Sequence, residues 1–222
     1  MTSLARVSAR TVWRPGRLHT RRLSFSYPAS RKLDQIVRMQ SFARLSPGSC
    51  AEVWQTYHNA AQEHSLGWSL SRSRYAHFVH NARRYPMFVF PLLRPEQAGY
   101  VSLLAQTQDA KYVLFTYLQE YRDRPDRAQP RLVFTVYDEL VADKGLALVR
   151  AEVVHHPQIR REDAWRLLHL WQQVYADEDD AQLLRQFYER PREFDYERVV
   201  AAAAGVASTC PPPPTFRLRS GC

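Results

Sequence analysis

The chain has 222 residues, 45% of them apolar and 24% charged, which is the size and composition of one folded domain with tails rather than of a disordered or fibrous protein. No apolar run reaches the ~20 residues that a membrane-spanning helix needs. The formal charge of +9 sits at the front: residues 1–33 carry eight basic and no acidic side chains, leaving 23 basic against 22 acidic in the remainder, a balance that argues against a phosphate backbone as partner of the body.

In chain order, the leader comes first. Arg6, Arg10, Arg14, Arg17 and Arg21 fall three or four apart, so a helix would carry them as one basic stripe with Leu4, Val7 and Trp13 away from it. An Arg-rich, acid-free, amphipathic N-terminus is the pattern of an organelle transit peptide, here spanning residues 1–32 and directed to the mitochondrial matrix. Arg21-Arg22-Leu23-Ser24 resembles a matrix-peptidase cleavage site.

Three amphipathic helices are expected next. Leu33, Ile36 and Val37 begin a short one. Ser49 with Glu52 reads as a capping box opening a helix that buries Val53, Trp54, Tyr57 and Ala61. Tyr75, Phe78, Val79 and Ala82 mark the third, which must stop before Pro86. The period then becomes two. Strands are expected at Met87–Leu93, Tyr100–Thr107, Lys111–Tyr121, Arg131–Tyr137 and Leu146–Val154, with turn formers between them. No gap is long enough for a parallel crossover, so the five should form an antiparallel meander. The strand at Lys111 is apolar on both faces and should be covered on both; Arg150 and Glu152 mark the last strand as half exposed.

Helix returns with Ala164, Leu167, Leu168, Trp171, Val174 and Tyr175, which form a sustained 3.6-residue stripe. Leu184, Phe187 and Tyr188 mark another helix, ending before Pro191. A last one is expected from Tyr196 to Ala204. The reading is one α+β domain over residues 33–205, followed by a disordered Pro-rich tail over 206–222.

Candidate chemistry is sparse. Cys50, Cys210 and Cys222 share no short spacing, so they suggest neither a disulfide framework nor a zinc site. No phosphate-cradling loop or Gly-x-Ser-x-Gly elbow is present. His77 and His80 share a helix side without a third ligand. Glu152, His155 and His156 cluster at a strand end with no nucleophile. Asp177–Asp180 lacks the glycine turn of a calcium loop. Five Trp, twelve Tyr and ten Phe fall mostly on helix stripes and strand faces, where core packing suffices to explain them, and any surplus suits a protein-binding surface. The residues thus point to a binding module without cofactor or metal. An RNA-binding module, or a matrix enzyme without a recognisable motif, are the alternatives.

Three segments carry a resemblance. Ala128-Gln129-Pro130, then Tyr137-Asp138-Glu139-Leu140 with Lys144-Gly145 and Leu148, then Phe187 followed by Arg190-Pro191, Glu193-Phe194-Asp195-Tyr196, are similar in order and spacing to the assembly factors of the F(1) sector of the mitochondrial ATP synthase. The likeness runs from Leu33 to Ala201. It implies a chaperone with no catalytic residues, cofactor or metal, which binds the free β subunit and gives it up to the competing α subunit. Arg190, Pro191, Phe194 and Tyr196 are the candidate partner-binding residues.

Overall fold

The computed structural model describes residues 31–60, 64–94, 96–154, 158–177 and 181–211. The five expected strands are present: β2 (Met87–Leu93), β3 (Tyr100–Gln108), β4 (Tyr112–Tyr117), β5 (Leu132–Tyr137) and β6 (Leu146–Val153). A sixth, β1 (Ser65–Ser71), precedes them and pairs with β6, giving the antiparallel order β1-β6-β5-β4-β3-β2. In β1 the apolar residues Leu66, Trp68 and Leu70 alternate with Gly67 and serines. The period is that of a strand, but Gly and Ser are poor strand formers, so the segment carries a weak signal.

The hairpins follow from local chemistry. Asp109 and Ala110 both take positive φ (53° and 49°) between β3 and β4, and Lys111 N–H bonds the Gln108 carbonyl at 2.9 Å. That is a two-residue type I′ turn, whose twist matches the strands, with alanine where glycine is usual. The strand expected to reach Tyr121 ends at Tyr117. Leu118–Asp123 instead forms a short helix (α4), tied by Gln119 to the Asp123 carboxylate and by Arg131 to Glu120. Between β5 and β6, Val141–Lys144 makes one helical turn (α5), which Gly145 ends at φ 65°.

One face of the sheet receives α3 (Arg72–Arg84), α6 (Arg161–Ala176), α7 (Ala181–Glu189) and α8 (Tyr196–Thr209). Here Phe78, Phe90, Phe115 and Phe134 pack with Trp171 and Tyr175, the closest rings lying 4.7 Å apart at Phe115–Phe134. All six residues of the expected α6 stripe are buried. The opposite face receives a 3-10 turn (Leu33–Gln35), α1 (Met39–Arg44) and α2 (Pro47–Ala60) at its β1–β6 side, where Leu33, Phe42, Cys50 and Trp54 meet Tyr137, Leu140 and Leu148. Tyr137 donates its hydroxyl to the Arg31 carbonyl at 2.9 Å.

Both edges of the sheet are defended. In β2, Pro91 lacks an N–H to offer a partner strand, and an edge is the position in a sheet that tolerates it. Along β1, Asn59 of α2 accepts from Gly67 N–H at 2.9 Å and donates to the Gly67 carbonyl at 3.2 Å, so one amide side chain replaces a neighbouring strand. Arg161 of α6 adds a bond to the Ser65 carbonyl at 2.8 Å. Gly67 is required there, because a Cβ would come within 2.9 Å of the Trp54 carbonyl oxygen.

Further expectations change. Ser46, rather than Ser49, caps α2, accepting from Ser49 N–H at 3.1 Å. Arg150 and Glu152 are not half exposed but pair at 2.8 Å with side chains only 14% and 20% accessible, and burial raises the Glu152 pKa against the pull of Arg150. The last helix continues past its expected end at Ala204: Val206 is buried, α8 runs to Thr209, and Trp165 donates its indole N–H to the Pro211 carbonyl at 2.8 Å. The leader up to residue 30 and the tail from 212 lie outside the described residues.

Candidate partner-binding site

The four candidate residues gather at the corner between α7 and α8. Tyr188 near the end of α7 accepts the Met87 N–H at 2.8 Å, and Glu189 accepts from Arg84 (2.8 Å) and Tyr85 (2.6 Å), which fixes the helix end against α3 and β2. Pro191 prevents continuation, and Asp195 opens α8 by accepting from Glu197 N–H at 3.0 Å. Arg190 and Pro191 are exposed, and Arg190 reaches Glu193 at 3.5 Å. Phe194 and Tyr196 are half-buried. Phe194 packs edge-on to Phe187 at 5.1 Å, and Tyr196 lies 5.8 Å from Tyr100 with its hydroxyl 3.4 Å from Ser102 Oγ. Burial raises the Tyr196 pKa, so this hydroxyl stays protonated. The corner therefore splits into two roles. Arg190 and Pro191 face outward, while Phe194 and Tyr196 join the outer layer of the core, where Tyr196 supports Tyr100, which is 36% exposed.

A second surface, on α2, has no motif to mark it in the sequence. On α2, Cys50, Trp54 and His58 recur every four residues and face the sheet, with Trp54 donating to the Val149 carbonyl at 2.9 Å. Val53 and Tyr57 stand one position earlier, about 100° around the helix, and are 47% and 45% exposed instead of buried as expected. Polar His58 and Asn59 lie inside while an apolar residue and an aromatic lie outside. Glu52 is the sole charged residue between Pro47 and Ala60. An adjacent exposed pair on an almost uncharged helix is a protein-contact feature, whereas isolated exposed apolar residues are ordinary. Ala61 lies outside the described residues.

His77 and His80 sit on α3, Glu152 is held by Arg150, and His155, His156 and Glu178–Asp180 fall outside the described residues. Among the described residues no three His, Cys, Asp or Glu side chains are grouped to hold a metal ion, and no helix is long and apolar enough to cross a membrane. The described cysteines, Cys50 and Cys210, are free thiols, and burial raises the pKa of both.

No curated protein is significantly similar to the chain. Among solved structures, the di-domain ARO/CYC BexL from the BE-7585A biosynthetic pathway is 11% identical over 80% of this chain, which spans 60% of that protein's length. Its TM-score of 0.21 carries no argument about fold or function. The family model described as ATP11 protein matches residues 9–200, reaching into the basic leader at one end and covering all four candidate residues at the other. The chain belongs to the ATP11 family, the assembly factors of the mitochondrial F(1)-ATPase.

Proposed function

We propose that this protein is a mitochondrial matrix chaperone that binds the free β subunit of the ATP synthase F(1) sector, keeps it soluble and yields it to the α subunit. The family match over residues 9–200 carries the reading. Two exposed features support it: Val53 with Tyr57 on α2, and Tyr100 beside the α7–α8 corner. A subunit awaiting its ring neighbours exposes apolar area that aggregates, and a stoichiometric binder with uncharged patches suits it. In this reading Arg190 and Pro191 touch the partner, whereas Phe194 and Tyr196 hold the surface in shape. The protein acts by binding and not by catalysis, with no cofactor of its own. Release needs no fuel if α competes for the same face of β, since incorporation into the ring removes β by mass action.

The test is a light-scattering assay of isolated β subunit. An equimolar amount of this protein should suppress aggregation, and added α subunit should displace it. Unchanged aggregation, or β retained against excess α, overturns the proposal. The address is tested separately. Residues 1–40 fused to a reporter should enter mitochondria, and the mature N-terminus should fall between Ser24 and Lys32. An endogenous protein that retains Met1 would refute the cleavage.

A further inference from the structure

The outer side of α3 forms, with Val141 of α5, an open groove of about 830 Å³ that the function above does not use. Ala76, Val79 and Val141 supply an apolar floor, and Arg72, Arg83 and Arg84 supply cations; no acidic residue lines it. Two of the acids nearby are paired, Glu189 with Arg84 at 2.8 Å and Asp177 with Arg74 at 2.8 Å. Asp138 accepts from the neutral Tyr75 hydroxyl at 3.0 Å and keeps its charge. Arg72 is anchored on a neutral group, the Ala142 carbonyl, at 2.9 Å and so keeps its charge uncompensated. Arg83 is exposed and makes no ion pair among the described residues. Asp138 and, less strongly, Glu139 act electrostatically on Tyr75, one turn from Arg72, so the positive field is strongest toward Arg83.

From this juxtaposition we propose that the α3 groove is a docking site for an acidic amphipathic segment of a protein partner, whose apolar side lies on Val79 and Val141 and whose carboxylates meet Arg83 and Arg72. The groove follows a helix of 13 residues, about 20 Å long, which accommodates three turns of a second helix laid alongside. Charge selects the partner, because guanidinium forks bind carboxylates with matched geometry. The apolar floor selects against a bare polyanion, which has nothing to place there. Nucleic acid and anionic lipid are therefore disfavoured occupants. The inference deepens the chaperone reading by naming the chemistry of a client segment. Its test uses no ATP synthase subunit, so either can fail without the other.

The probe is a fluorescent synthetic amphipathic helix with Leu on one face and Glu on the other, titrated with the full chain and read by anisotropy. Wild-type protein should bind it, and raising the salt severalfold should weaken binding. Arg83→Glu should weaken it about five- to ten-fold, since an exposed attraction becomes a repulsion. Arg124→Glu, the same change of charge at an exposed position beyond α4, should leave it within about two-fold. Replacing the peptide's Glu by Lys should abolish binding. A peptide that binds equally well to the Arg83→Glu variant overturns the proposal. So does displacement of the peptide by single-stranded RNA or phosphatidylserine vesicles in an Arg83-dependent manner, which would make the groove a phosphate site.

Discussion

The two helices that flank β1 solve opposite problems. Helix α2, on one side of the sheet, carries one charge, yet it turns His58 and Asn59 inward and leaves Val53 and Tyr57 in solvent. Helix α3, on the other side, carries four arginines, buries Phe78 and Ala82 in the ordinary amphipathic way, and leaves its arginines outside. In α2 the demand of the sheet edge outweighs hydrophobic sorting. An amide that satisfies both polar groups of Gly67 avoids leaving buried donors and acceptors unpaired, at about 1–3 kcal/mol each. The apolar residues one position away are then turned outward. An exposed apolar pair next to a buried polar pair is therefore informative about function, because folding accounts for the buried pair and leaves the exposed one unexplained.

The comparison predicts unequal sensitivity. Trp54→Ala should destabilise the protein by about 3–5 kcal/mol, through the cavity and the lost bond to Val149. Arg83→Ala on α3 should cost no more than about 0.5 kcal/mol. Urea unfolding followed by circular dichroism measures both, and a loss below about 1 kcal/mol for Trp54→Ala would break the claim that α2 is fixed from within. Next in size is Asn59→Ala, which removes both bonds to Gly67 and should cost about 2–3 kcal/mol. It should also open the β1 edge, so concentration-dependent aggregation should accompany the loss of stability. Destabilisation without any self-association would show that other side chains protect that edge.

The legibility of the fold followed the same division. Helix α6 could be read residue by residue because a single apolar stripe, Ala164 to Tyr175, meets a single apolar surface. The phase of α2 is not legible in its sequence, because Val53 and Tyr57 look more buriable than His58 and Asn59 and nothing local reveals that Asn59 serves the edge of β1. Strand β1 is faint in the sequence for the complementary reason: Gly67 is there to admit the Trp54 backbone, and glycine weakens every propensity argument. The extension of α8 past Ala204 depends on Val206 and on Trp165 reaching Pro211, contacts set by packing on α6. As for the candidate site, the motif from Arg190 to Tyr196 marked the α7–α8 corner, but sequence could not distinguish exposed Arg190 and Pro191 from half-buried Phe194 and Tyr196. The α2 surface had one legible trace, the scarcity of charge between Pro47 and Ala60.

Burying His58 has a consequence in pH. Burial first, and then the Arg150 charge, lowers its pKa from 6.5 to about 3, and its Nδ1 sits 3.0 Å from Ser65 Oγ. The folded chain therefore holds this imidazole neutral while the unfolded chain takes up a proton near 6.5. Its contribution to stability is fully present above that pH and is lost progressively as pH falls toward 3. Each pH unit in the window corresponds to at most about 1.4 kcal/mol, so roughly 2 kcal/mol should disappear between pH 6.5 and 5. Burial also lowers the pKa of His169 and adds in the same direction, so the informative quantity is the difference between wild type and His58→Gln. The variant should lose most of that slope across the window. Parallel slopes would mean that the site takes up a proton without unfolding.

The smallest effect on stability is expected where the largest effect on function is proposed. Val53 and Tyr57 are nearly half exposed, and Tyr57 meets the rest of the protein through an edge contact with His58 at 4.9 Å between ring centres. The pair Val53→Ser and Tyr57→Ser should thus change the unfolding free energy by no more than about 1 kcal/mol, the sum of two exposed-surface effects. If the uncharged side of α2 is where the client docks, the same variant should stop suppressing aggregation of the isolated β subunit. An aromatic anchor at an interface commonly accounts for 2 kcal/mol or more, about thirty-fold in affinity. Folding cannot produce that dissociation, because a side chain used only for packing would lose stability and binding together. The double variant separates the readings: unchanged stability with lost chaperoning assigns α2 to the client, and unchanged stability with intact chaperoning removes α2 from the interface and leaves the α7–α8 corner, probed by Arg190→Glu, as the surface that binds.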